Sequence, residues 1–159
     1  FFTVYGPWGR PDMAPMLFTK AILSNEQINI FNKGNMSRDF TYIDDVTEIL
    51  FRLINKPATI NKSFNKENPT TPSSWAPYRI FNIGNNKSVN LMDFISILEK
   101  ELGKKAIKNF IEFQKGDVQN TCSDSSNIYE WIKFKPSTPL DKGIKELVKW
   151  YKIYYKDSY

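Results

Sequence analysis

The chain of 159 residues contains no histidine and a single cysteine, Cys122. Without histidine there can be no Ser-His-Asp triad, no imidazole metal ligand and no side chain that ordinarily titrates near neutral pH. One cysteine excludes an internal disulfide and fits a reducing compartment, so a cytoplasmic location is expected. The seven glycines nowhere take the G-x-G-x-x-G or P-loop spacing that cradles phosphates. No apolar run approaches the roughly 20 residues of a membrane span, and no signal peptide pattern is visible. The net charge of +5 is spread along the chain, with only pairs such as Lys104-Lys105 adjacent. A solvated surface is therefore expected, with neither nucleic acid nor membrane as partner.

What is present argues for a packed α/β domain. Hydrophobic residues make up 41% of the chain and aromatics 15%, too rich for disorder. The opening run Phe1-Phe2-Thr3-Val4-Tyr5 has the composition of a strand covered on both faces. Gly6-Pro7 ends it, so groups that follow sit at a strand's carboxyl end, where open α/β sheets bind ligands. A domain that opens on its most buried strand reads as the back part of a longer protein.

Helical periodicity follows at four places. Val46, Ile49, Leu50, Leu53 and Ile54 share one face of a helix from Asp44 to Lys56, with Asp44 or Asp45 as its cap. Asn90 caps a helix with Leu91, Ile95, Leu98 and Leu102 on one stripe and Gly103 as its stop. Thr138-Pro139-Leu140-Asp141 starts a third, with Thr138 as cap, running to about Tyr155. A fourth follows Pro15 to about Asn25, and a short one is expected over 127–131. Strands are expected over Ile28–Phe31, Tyr78–Ile83 and Asn109–Phe113. Residues 57–77, with four of the nine prolines, read as an exposed, mobile loop.

Several side chains could carry chemistry, each with a plainer alternative. Arg10, on a loop fixed by Gly9 and Pro11, could fork onto a phosphate or carboxylate, or lie stacked on Trp8. Arg38 could clamp an anion, or pair with Asp39 or Asp44. Asp44 and Asp45 read as favouring a helix start rather than as an acid–base pair. Asp117, after Gly116, could meet sugar hydroxyls or form a local Asx-turn.

The order of these segments is more specific than any of them. Phe2-Thr3-Val4-Tyr5-Gly6-Pro7-Trp8-Gly9-Arg10-Pro11-Asp12-Met13, then Arg38-Asp39-Phe40-Thr41-Tyr42-Ile43-Asp44-Asp45, Phe81-Asn82-Ile83-Gly84, Gly116-Asp117-Val118 and Trp150-Tyr151 together resemble the carboxyl-terminal half of an extended short-chain dehydrogenase/reductase. Within it, the pattern is most similar to the UDP-glucuronate 4-epimerases. The resemblance implies the substrate-binding part of an NAD-dependent sugar-nucleotide epimerase over residues 1–159, in a parent that is a homodimer. Such enzymes oxidise C4 of the sugar to a ketone and return hydride to the other face. Thr3, Arg10, Asn29, Phe31, Arg38 and Asp117 match substrate-contacting positions: Thr3 near the sugar and its carboxylate, Asn29 and Phe31 at the uracil wall, Arg38 on the diphosphate, Asp117 at the ribose. Phe1, Phe2 and Val4 match the strand lining the nicotinamide. Gln114 stands where many relatives carry arginine. The resemblance assigns no position here to the glycine-rich loop or to the Tyr-x-x-x-Lys pair that supplies the catalytic base. The chain alone is therefore expected to be inactive, and the different-class alternative is a stand-alone UDP-sugar-binding module.

Overall fold

The computed structural model describes residues 1–69 and 73–156. Two small sheets organise them. Strand β1 (Thr3–Tyr5) runs parallel to β3 (Ser37–Tyr42), with Thr3 opposite Phe40 and Tyr5 opposite Tyr42. On its other side β3 pairs antiparallel with β4 (Ser88–Asn90). The second sheet joins β2 (Gln27–Ile30) to β5 (Ile107–Phe110) in parallel, Asn29 opposite Asn109. Five helices cover them: α1 (Ala14–Leu23), α2 (Ile43–Ile54), α3 (Leu91–Leu102), α4 (Ser126–Ile132) and α5 (Leu140–Tyr154). The α/β expectation holds, and among the described residues no helix is long and apolar enough to cross a membrane.

Helix α3 follows its sequence closely. The Asn90 side chain accepts a hydrogen bond from Met92 N at 2.8 Å, and Gly103 closes the helix at φ 70°. Leu91, Phe94, Ile95, Leu98 and Leu102 are buried, and the Phe94 ring stacks on Phe40 of β3 at 4.6 Å. Ile144, Leu147, Val148 and Tyr151 of α5 complete this main core. A second, smaller cluster joins Val46 and Ile49 of α2 to Ile83, Ile128 and Ile132.

Four expectations need correction. Neither Asp44 nor Asp45 caps α2: Tyr42 is the cap residue and both acids lie in the first turn. Asp45 is instead buried, accepting from Thr138 N at 3.1 Å. Pro139, not Thr138, occupies the cap of α5. No ladder forms over 78–83, where one bond from Phe2 N, just before β1, reaches Ile83 O at 3.1 Å. The opening strand is not covered on both faces: Phe1 is 76% exposed and Thr3 and Val4 are half-buried, because residues 1–5 form the wall of a cavity described below. Within 57–77 the described residues form no helix or strand, and 70–72 lie outside them.

Glu99 ties the end of α3 to β5 and sets an acid limit on stability. It is buried and accepts hydrogen bonds from Lys108, Lys105 and Ala106 N. Burial pushes its carboxyl up, but the Lys108, Ala106 and Lys105 hydrogen bonds and the Lys108 charge outweigh it, bringing it from 4.5 to about 2. A lowered folded value stabilises above the unfolded pKa and fades as pH falls from about 4.5 towards 2. The loss is about 3 kcal/mol. Urea unfolding from pH 6 to pH 2 should show it, with Glu99→Gln flattening the curve in that window. Parallel curves for the two proteins would exclude Glu99 as the source.

Candidate functional site

Two cavities meet along β1. The first, of about 590 Å³, lies between α1, β2 and β3 and is lined by Thr3, Asn29, Phe31, Arg38 and Asp117 among others. These five come from four separated stretches of chain, and all were singled out from the sequence. The second, of about 630 Å³, is lined by Phe1, Phe2, Val4 and Arg10. Thr3, Met13 and Arg38 line both, so the cavities share a border at the amino ends of β1 and β3. Both volumes fall within the range of about 300–1,000 Å³ of small-molecule sites.

Arg38 is fixed by strand alternation. It turns towards the cavities, where its Nη2 pairs with Asp117 Oδ1 at 2.9 Å and its Nη1 donates to Ser37 O and Gln119 O at 2.9 and 3.0 Å. It pairs with neither Asp39 nor Asp44. A guanidinium has five N–H donors, so among the described residues Nε–H and one Nη2–H remain for an incoming anion. Asp117 also accepts from Val118 N at 2.7 Å, at the turn where Gly116 takes φ 88°.

The remaining predicted residues separate into two groups. Asn29 on β2 accepts a hydrogen bond from Asn109 at 2.9 Å. Phe31 leaves the strand and opens the short 3-10 turn Phe31–Gly34, its half-buried ring on the same cavity. Arg10 is not gathered with them. It is exposed and forked onto Asp12, Nε to Oδ1 at 3.1 Å and Nη2 to Oδ2 at 2.5 Å. Nor does it stack on Trp8, whose ring contacts Trp150 and Tyr154 of α5 at 5.3 and 4.9 Å.

Sequence reasoning passed over Asp39. It is completely buried and accepts from Asn85 N at 2.9 Å and from Ser123 N and Oγ at 2.9 and 2.7 Å. Asp39 therefore anchors the 121–125 segment that follows the Asp117 turn. The hint in the sequence was β-strand alternation: next to an outward Arg38, residue 39 must face inward.

A Tyr-x-x-x-Lys spacing does occur, at Tyr129 and Lys133, where the sequence reading placed none. Its geometry is wrong for a base. The Tyr129 hydroxyl donates to Gly84 O, and burial pushes its phenol upward, while a base needs a lowered value. Lys133 is exposed at the left-handed end of α4. Tyr129 and Lys133 line neither cavity.

Comparison with known proteins matches residues 1–84 to the NAD dependent epimerase/dehydratase family. Protein CapI of Staphylococcus aureus is 50% identical over 156 residues, 98% of this chain and 47% of its own length. A probable UDP-glucuronate 4-epimerase of Rhizobium meliloti is 42% identical over 160 residues, covering 100% of this chain and 47% of its own length. Among solved structures, the UDP-glucuronic acid 4-epimerase of Bacillus cereus in complex with UDP-glucuronic acid and NAD superposes with a TM-score of 0.78. It is 32% identical, over 97% of this chain and 44% of that one. The chain spans just under half the length of these two relatives.

Proposed function

Because the chain belongs to the NAD dependent epimerase/dehydratase family, we propose that it is the sugar-nucleotide-binding part of an epimerase that inverts C4 of a UDP-hexuronate. The interconverted pair is UDP-glucuronate and UDP-galacturonate, by way of a 4-keto sugar. The observation that carries this is the gathering of Thr3, Asn29, Phe31, Arg38 and Asp117 around one cavity. In this assignment Asn29 and Phe31 face the uracil, Asp117 accepts from the ribose hydroxyls and Arg38 offers its two remaining donors to the diphosphate. Thr3, on the border, presents its hydroxyl to the hexuronate, and Arg10 approaches the sugar from the second cavity.

The apolar wall of Phe1, Phe2 and Val4 suits the flat ring of a nicotinamide, and the second cavity is large enough for it. Hydride removal and return at C4 is the chemistry NAD supplies when bound. This chain has no Gly-rich turn for the dinucleotide's phosphates, so its own residues hold one end of NAD at most. With Tyr129 and Lys133 away from both cavities, the chain binds and orients the sugar nucleotide without supplying a base.

Calorimetric titration with UDP-glucuronate, UDP-glucose and UDP tests the assignment. Binding of UDP and UDP-glucuronate in the micromolar to low-millimolar range is expected. Absence of heat with every nucleotide would remove the first cavity as a nucleotide site.

A further inference from the structure

Resting on the UDP-hexuronate assignment, we propose that Asp12 is an internal stand-in for the substrate's carboxylate. It occupies the binding edge of Arg10 in the free protein and gives way when a hexuronate arrives.

The Arg10–Asp12 contact uses both Nε and Nη2 of the guanidinium and both oxygens of the acid. This is the fork-on-fork arrangement by which arginine recognises a planar carboxylate. The carboxylate on C5 of a hexuronate offers the same two oxygens at the same spacing. The two acids therefore compete for one edge, and only one can hold it.

The pair also stands at the right place. Asp12 lines the first cavity, Arg10 the second, and Met13, which lines both, closes the turn by donating from its backbone N to Arg10 O at 3.2 Å. The Arg10 and Asp12 side chains are 74% and 62% exposed, so no packing locks them together. An exposed pair of this kind is weak and opens readily. Two residues apart in one tight turn, Asp12 is nonetheless always within reach of Arg10, at a high effective concentration. Hydrogen bonds from Arg10 hold the Asp12 carboxyl below the usual range, so it is ionised at neutral pH.

A neutral hexose cannot displace Asp12 and leaves the pair intact. A uronate replaces one carboxylate by another and gains only the difference. Asp12 thus lowers the affinity of carboxylate-bearing sugars in particular, which favours their release after reaction.

Asp12→Asn removes the competitor's charge while keeping its shape. The ratio of UDP-glucuronate to UDP-glucose affinity, by calorimetry, is expected to rise about three- to fivefold. The same substitution in an Arg10→Ala background should leave the ratio where Arg10→Ala alone puts it. A fall in the ratio would mean that Asp12 orients Arg10 for the sugar, and no change would mean that the two acids never compete. A rise that persists without Arg10 would be the field of a lost negative charge. Each of these overturns the proposal while UDP still binds; wild-type protein that binds no UDP instead overturns the nucleotide assignment beneath it.

Discussion

Arg38→Ala is expected to weaken UDP and UDP-glucuronate binding at least tenfold, about 1.4 kcal/mol or more. Two effects add. The two N–H donors left on Arg38 would make charge-assisted bonds to a phosphate, each stronger than a neutral hydrogen bond. Arg38 also holds Asp117 at 2.9 Å and Gln119 O at 3.0 Å, so its loss frees the turn that carries Asp117. Arg38→Lys separates the effects: it restores a positive charge without the fork that spans Asp117 and Gln119. The lysine variant should recover only part of the affinity. Equal affinity of wild type and Arg38→Ala for UDP would take Arg38 out of the site.

Gly143→Ala is expected to destabilise the protein by about 2 kcal/mol although it replaces glycine by the best helix former. Inside a helix that exchange ordinarily gains up to about 1 kcal/mol. At Gly143, in the first turns of α5, a β-carbon would collide with the Tyr5 hydroxyl and lie 2.7 Å from Tyr5 Cζ and 2.9 Å from Tyr42 Cδ2. Neither ring has room to retreat. Both are buried and pack edge-to-face with centroids 5.7 Å apart, and Tyr5 also meets Phe40 at 6.0 Å. Overpacking of this kind costs about 1–3 kcal/mol, so α5 must move off β1 and β3 or the rings must leave their rotamers. Thermal unfolding should show a drop of roughly 4–8 °C. Adding Tyr5→Phe removes the nearest atom and should restore part of it; an unchanged or raised Tm for Gly143→Ala would disprove the close approach.

How much of this was legible in the sequence depended on the kind of signal. Helices α3 and α5 announced themselves through long apolar stripes, which the main core then buried. Periodicity over α2 was also right, yet Leu50 and Ile54 of its stripe are exposed, Ile54 at 78%. A stripe shows which face is apolar and not what lies against it. The short strands were harder. Ser37–Tyr42 carries an arginine next to an aspartate, yet it is a strand whose last four residues are buried. Tyr78–Ile83 looks like a strand by composition, but without a partner beyond one bond it forms none. Capping failed where tertiary contacts took the side chain: Asp45 holds Thr138 N instead of its own helix. The candidate residues that line the first cavity came from motif order, whereas Asp39, although inside the same motif as Arg38, became visible as an anchor only once its neighbour's direction was known.

The adjacency of Arg38 and Asp39 on β3 constrains how this protein can change over time. In the proposed site Arg38 serves the ligand while Asp39 keeps 121–125 in place, and they alternate across a single strand. An insertion or deletion of one residue before them would exchange their roles, aiming a buried carboxylate at the cavity and an arginine at the serines. Affinity and folding are therefore inherited as one unit along β3. Mutation has freer scope for adjusting substrate preference at positions such as 10 and 12, which lie on an exposed turn that the core does not depend on.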